Sequence, residues 1–125
     1  MKTFSYGKKE KLKSKTEIEL LFQKGTWLIS GDMRIISFSN YEIISSKIGV
    51  SVSKKNFKKA TDRNRVKRLL REVYRHNKND FAAAFGNHCI AMFFWAGKEL
   101  PKNFEEMQEN FQKLIALQIQ KRKKY

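Results

Sequence analysis

An α+β sandwich, ordered helix, strands, helix, strand, helix in a single domain, is the fold class that this sequence predicts. Three segments carry the prediction. Between Arg63 and Arg75, apolar residues recur at Val66, Leu69, Leu70, Val73 and Tyr74, the spacing of one helical face. From Lys47 to Ser53 the chain alternates as a strand does, with Ile48, Val50 and Val52 on one side and Gly49, Ser51 and Ser53 on the other. Cys89 to Trp95 (CIAMFFW) is an unbroken apolar run of strand length, as expected of a central strand covered on both faces.

The remaining elements follow in chain order. The first dozen residues are rich in Lys and poor in apolar side chains, and read as a basic tail. Ser14-Lys15-Thr16-Glu17 has the form of a capping box and opens a first helix. Ile18, Leu21 and Phe22 form its apolar stripe, and Gly25 stops it. Arg34 to Ser39 alternates, with Ile36 and Phe38 sharing a face, and the polar stretch Asn40 to Ser46 connects it to the strand at Lys47. Lys54 to Lys59 is a basic loop; Thr61 or a neighbour caps the helix that runs on to about Asn77. Asn79-Asp80 and Gly86 punctuate the segment beyond it. Asn103 and Glu106 are spaced as a capping pair for a last helix from Phe104 to about Gln120, with Phe104, Met107, Phe111, Leu114 and Leu117 or Gln118 facing inward. Residues 120–125 make a second basic tail. The sheet is expected to be essentially antiparallel, and the generic rule for a strand–helix–strand unit is a right-handed crossover.

At 125 residues the chain suits one domain spanning its whole length, and ten Phe provide for a real core. Its 27 basic and 12 acidic side chains leave a formal charge of +15, an excess that repels itself in a compact state and points to a negative partner. A membrane is not that partner on this reading: the longest apolar run is far shorter than a bilayer span, and no apolar segment follows the first lysines as in a signal peptide. The single cysteine, Cys89, lies inside the apolar run, so it has no internal disulfide partner and a cytoplasmic location is expected.

Catalytic patterns are sparse. His76 and His88 have no evident acid to orient them, and Glu105, Glu106 and Glu109 read as a solvated face at a helix start. No metal-binding, phosphate-loop or nucleophile motif is present, so neither a resident metal nor a protein active site is expected. Binding signals are dense instead. Between Lys54 and Lys78 eleven cations face only Asp62 and Glu72. Arginine predominates on the helix, and its guanidinium grips phosphate in a bidentate way. Asn64 among these cations both donates and accepts, as a sugar hydroxyl or base edge requires.

The segment KIGVSVSKKNFKKATDRNRVKRLLREVYR resembles the signature of the bacterial ribonuclease P protein subunit. The likeness rests on Gly49-Val50-Ser51-Val52-Ser53-Lys54-Lys55, a short spacer, and Arg63-Asn64-Arg65 followed by Lys67-Arg68 and Arg71, and it extends over nearly the whole chain. That resemblance implies a small protein partner of a catalytic RNA, the two together removing the 5′ leader from precursor tRNA. Hydrolysis and its Mg²⁺ ions would belong to the RNA, no protein partner would be required, and the chain alone would be inactive. Arg63, Asn64, Arg65, Lys67, Arg68 and Arg71 would bind the catalytic RNA. Phe22, Ser51, Ser53, Lys54 and Lys55 would lie in or beside a cleft for the single-stranded leader. It also implies a left-handed strand–helix–strand crossover, against the generic rule. The chain departs from the family pattern at Ile18, often an aromatic there, at Gly31-Asp32, where basic residues are common, and at Asp62. Two other readings are another RNA- or DNA-binding module, such as a non-catalytic RNA-binding protein of ribosomal type or a transcription factor that sets the basic helix in a major groove, and a free protein nuclease using His76 and His88.

Overall fold

The apolar run at 89–95 forms the inner strand of a four-stranded sheet, and the rest of the molecule is arranged around it. The computed structural model describes residues 10–123. In chain order the elements are α1 (Lys15–Lys24), β1 (Thr26–Ser30), β2 (Met33–Ser39), β3 (Lys47–Val52), α2 (Ala60–His76), α3 (Lys78–Phe85), β4 (Cys89–Trp95) and α4 (Phe104–Lys123). The sheet order is β1-β2-β4-β3. It is mixed rather than essentially antiparallel: β1–β2 and β2–β4 run antiparallel, but β3 lies parallel to β4.

One face of the sheet carries the main core. Met33, Ile35, Ile48, Ala91, Phe93 and Trp95 pack beneath Val66, Leu70 and Val73 of α2, Phe81 and Phe85 of α3, and Met107, Phe111 and Leu114 of α4. At this depth each large aliphatic or aromatic side chain contributes about 1.5–3 kcal/mol. The other face carries a smaller cluster, Leu12, Leu21, Ile36 and Ile90, covered by α1.

The crossover from β3 to β4 is left-handed, and the backbone makes this explicit. The Ile48 side chain faces α2, while its carbonyl accepts from Leu12 N–H at 3.0 Å, on the side away from β4. For an L-residue on an upward strand with its side chain toward the viewer, the carbonyl points right. Strand β4 therefore lies to the left, with the helices in front. The generic right-handed rule fails here, as the resemblance implied.

Several local expectations need correction. The segment Thr26–Ser30, unassigned from sequence, is an edge strand; Gly31, at φ 57°, opens the two-residue turn that joins it to β2. Residues Lys78–Phe85 form a helix of their own, because Phe81, Ala84 and Phe85 have a core face to fill. No side chain caps α2: its N-cap is Lys59, and neither Thr61 nor a neighbour makes the bond. Leu69 is only half-buried, and on α4 the buried position after Leu114 is Ile115, with Leu117 exposed. Gly25 stops α1 in an extended conformation, not a left-handed one. The basic ends fall partly at 1–9 and 124–125, outside the described residues. Where the ends are described they are built in: Leu12 is buried, and α4 continues to Lys123.

Two signals read from sequence fold as expected. Ser14 Oγ accepts from Glu17 N–H at 3.3 Å, and Asn103 Oδ1 accepts from Glu106 N–H at 3.0 Å.

Candidate RNA-binding surfaces

Helix α1 covers only part of its sheet face, and the uncovered part is aromatic. Strand registers align Ile29, Arg34, Phe94 and Ser51 in one row across the sheet, and Trp27, Ile36, Met92 and Gly49 in the next. Phe22, from the last turns of α1, leans over this region. Its ring lies 6.3 Å from Trp27 and 6.2 Å from Phe94, and Trp27 and Phe94 are 5.3 Å apart. Phe22 is 49% exposed, Trp27 45% and Ile29 56%. Such rings in solvent offer faces on which unstacked bases can lie.

Arg34 stands in the same row with a buried Nε that has no hydrogen-bond partner. A buried donor left unmade carries a cost, and an acceptor delivered by a ligand would remove it. The resemblance indicated Phe22 but not Trp27, Arg34 or Phe94. Their signal was present: once Thr26–Ser30 is recognised as a strand, Trp27 and Ile29 alternate onto the α1 face.

The predicted leader residues divide. Ser51 is half-buried in the open row. Gly49, on the same small face of β3 but not among those residues, is closed off: a Cβ there would meet Leu12 Cβ at 3.5 Å and the Met92 methyl at 3.2 Å. Its small size thus serves packing against the chain's own N-terminal segment. Ser53 lies beyond the strand, in a turn where its Oγ accepts from Lys55 N–H at 3.0 Å. Lys54 and Lys55 project from that turn, exposed, at the same end of the sheet as the open row.

The turn leads through the buried Phe57 into α2. Asn64, Arg65, Arg68 and Arg71 are exposed on the helix, and Lys67 is half-buried. Arg63 differs: one guanidinium nitrogen donates to the carbonyls of Phe57 and Lys58, both at 2.8 Å, so this arginine braces the loop. Arg75 is committed to Glu72, its Nη2 lying 2.7 and 3.0 Å from the two carboxylate oxygens. That guanidinium, aided by His76, holds the Glu72 carboxyl below its ordinary 4.5. Asp62, in the first turn, suits the positive end of the helix dipole.

The two histidines form no joint site. His76 does have an acid beside it, contrary to expectation: its Nε2 is 3.2 Å from Glu72, and its ring packs on Phe104. His88 Nδ1 lies 2.7 Å from the Ile43 carbonyl, to which it donates. Among the described residues no three His, Cys, Asp or Glu side chains converge as a metal cage would require. Burial pushes the Cys89 thiol up to about 11, which keeps it protonated and unreactive. No described helix is long and apolar enough to cross a membrane.

The family model described as Ribonuclease P matches residues 6–117. A ribonuclease P protein component of Porphyromonas gingivalis is 35% identical over 118 residues, covering 90% of this chain and 85% of the relative. One from Petrotoga mobilis is 37% identical over 101 residues, covering 81% and 80%. Among solved structures, the RNase P protein of Staphylococcus aureus aligns with a TM-score of 0.71 at 19% identity, over 86% of this chain and 94% of that one. That of Thermotoga maritima aligns with a TM-score of 0.69 at 24% identity, over 85% and 94%. These structures share the small α+β fold, and with the family model and the relatives in sequence they lead to one conclusion: this chain belongs to the ribonuclease P protein family.

Proposed function

We propose that this chain is the protein component of a ribonuclease P ribonucleoprotein, which removes the 5′ leader from precursor tRNA in the cytoplasm. Its exposed α2 cations, Arg65, Lys67, Arg68 and Arg71 with Asn64, grip the catalytic RNA, and Arg63 holds the loop that presents them. The groove between α1 and the open sheet row receives the single-stranded leader. Phe22, Trp27 and Phe94 stack on bases, while Ser51, Lys54, Lys55 and Arg34 meet the sugar–phosphate chain. The observation that carries this reading is the aromatic row, left uncovered by α1, at the end of the sheet where the basic turn enters α2.

Hydrolysis and the Mg²⁺ it needs are assigned to the RNA, as the family resemblance implies. The protein's contribution is differential binding. A leader in the groove exists in the substrate and not in the mature product, so its contacts favour precursor over product. Electrostatic relief from the basic chain lowers the Mg²⁺ concentration at which the RNA folds and works.

Reconstitution tests this. The chain alone should leave precursor tRNA intact, and with a matching catalytic RNA it should stimulate cleavage at low Mg²⁺. Failure to change the activity of that RNA would overturn the reading. Cleavage by the isolated chain that survives both His76→Ala and His88→Ala would do the same.

A further inference from the structure

A second basic recess lies at the far end of the sheet from the entry to α2. Helix α2 starts beyond the edge where Val52, Trp95, Met33 and Ser30 align. At the opposite end of the β1–β2 pair, Thr26 aligns with Ser37. There the end of α1, the start of β1, the end of β2 and the last turns of α4 line an open recess of about 390 Å³. Lys24, Lys121 and Arg122 line it, with Thr26, Ser37 and Gln118, and no acidic side chain is among its walls.

Two features separate this recess from an ordinary solvated patch. Arg122 is fixed in place: its Nη1 donates to the carbonyls of Ala83 and Ala84 at 2.9 and 3.1 Å, leaving Nη2 and Nε for another acceptor. Lys24 and Lys121 take part in no ion pair among the described residues. A planar guanidinium held by its outer edge, two ammonium groups and hydroxyl donors together match the tetrahedral oxygens of a phosphate. The volume greatly exceeds the roughly 30 Å³ of one water, leaving room for an attached sugar.

We infer that this recess binds a backbone phosphate of an RNA strand, as a second anchor remote from the start of α2 and beside the β1 edge of the aromatic groove, where Thr26 adjoins Trp27. The protein then holds two separated stretches of RNA, one at each end of its sheet. The identity of that RNA as the catalytic subunit rests on the reading above; the recess itself does not.

The test uses the full chain carrying Lys24→Gln and Lys121→Gln together, both exposed substitutions that leave the core intact. Affinity for the catalytic RNA is measured across salt concentrations, with Arg68→Ala as a parallel variant. Loss of the one phosphate contact should make the log–log salt slope shallower by roughly 0.8 and weaken binding about fivefold near physiological salt. In parallel, the Thr26 and Ser37 amide resonances are followed during titration with a short RNA strand, with inorganic phosphate and with poly-glutamate. RNA binding unchanged by the double substitution, with Arg68→Ala effective, overturns the second anchor alone. If Arg68→Ala is also silent, the α2 assignment falls as well. Phosphate shifts that the double substitution abolishes, without any effect on RNA binding, would mark a small-anion site and likewise overturn the inference. So would poly-glutamate shifting the same amides as strongly as RNA does. No response to any of the three would reduce these cations to partners of the α1 and α4 C-terminal dipoles.

Discussion

Trp27→Ala gives the sharpest test of the aromatic groove. The ring is 45% exposed, with neighbours at 5.3 Å (Phe94) and 6.3 Å (Phe22). A buried aromatic removes about 150–250 Å² from water. Roughly half of that applies here, so truncation should cost about 2 kcal/mol of stability at about 25 cal/mol per Å². The melting temperature would then fall by about 8 °C, which leaves the protein folded at room temperature. The loss to the leader is of a different kind. One stacked base is worth about 1–3 kcal/mol, or roughly 5- to 150-fold in affinity. The assay compares holoenzyme affinity for precursor tRNA carrying a leader of several nucleotides with affinity for mature tRNA. Trp27→Ala should lower that ratio by about thirtyfold, the middle of that span, and Trp27→Phe, which keeps a ring, should restore most of it. An unchanged ratio in Trp27→Ala would refute leader stacking at this position, because mature tRNA has no leader to lose.

Three further outcomes are expected. Arg68→Ala removes an exposed cation with no core role, so it should weaken RNA binding and make the salt slope shallower by roughly one; an unchanged slope would mean the side chain is only solvated. Asn77 is a buried amide that donates to the Val73 carbonyl at 2.7 Å and bonds Gln108 and Gln112 of α4. Asn77→Ala strands those partners and should cost about 3 kcal/mol in denaturant unfolding, and a cost below ~1 kcal/mol would contradict a cooperative amide cluster. Cys89, buried and with its thiol pushed up to about 11, should react with a thiol reagent at pH 8 only as fast as the domain unfolds. Rapid labelling of the folded protein would show that β4 opens locally.

The parts legible in the sequence were those with strong local periodicity. The α2 stripe, the β3 alternation and the β4 run each name their own structure, because burial on one face or two imposes a period of 3.6, of 2, or none. Strand β1 was hidden because it is an edge with Trp27 and Ile29 in solvent, so its five residues read like a loop around Gly31. Helix α3 was hidden by its shortness and by the Asn79-Asp80 pair, which resembles a turn until Phe81 and Phe85 are given a core to enter. The basic face of α2 was readable as a surface, but Arg63 was not separable from its neighbours. Only the path of the Phe57–Lys58 backbone reveals that its guanidinium is engaged. On the small face of β3 the alternation does not separate two environments: Gly49 lies against Leu12, and Ser51 borders the open groove.

Gly25 has a consequence for the groove as a whole. A Cβ at this position would sit 2.6 Å from the Ile36 side chain and closer still to the Leu21 carbonyl. Any residue larger than glycine would therefore act as a wedge between the end of α1 and strand β2. Phe22 lies three residues earlier on that same helix, so tilting α1 would swing its ring away from Trp27 and Phe94. The aperture offered to a single strand is thus fixed by one missing methyl group outside the aromatic surface, a hinge stop that no list of contact residues would include.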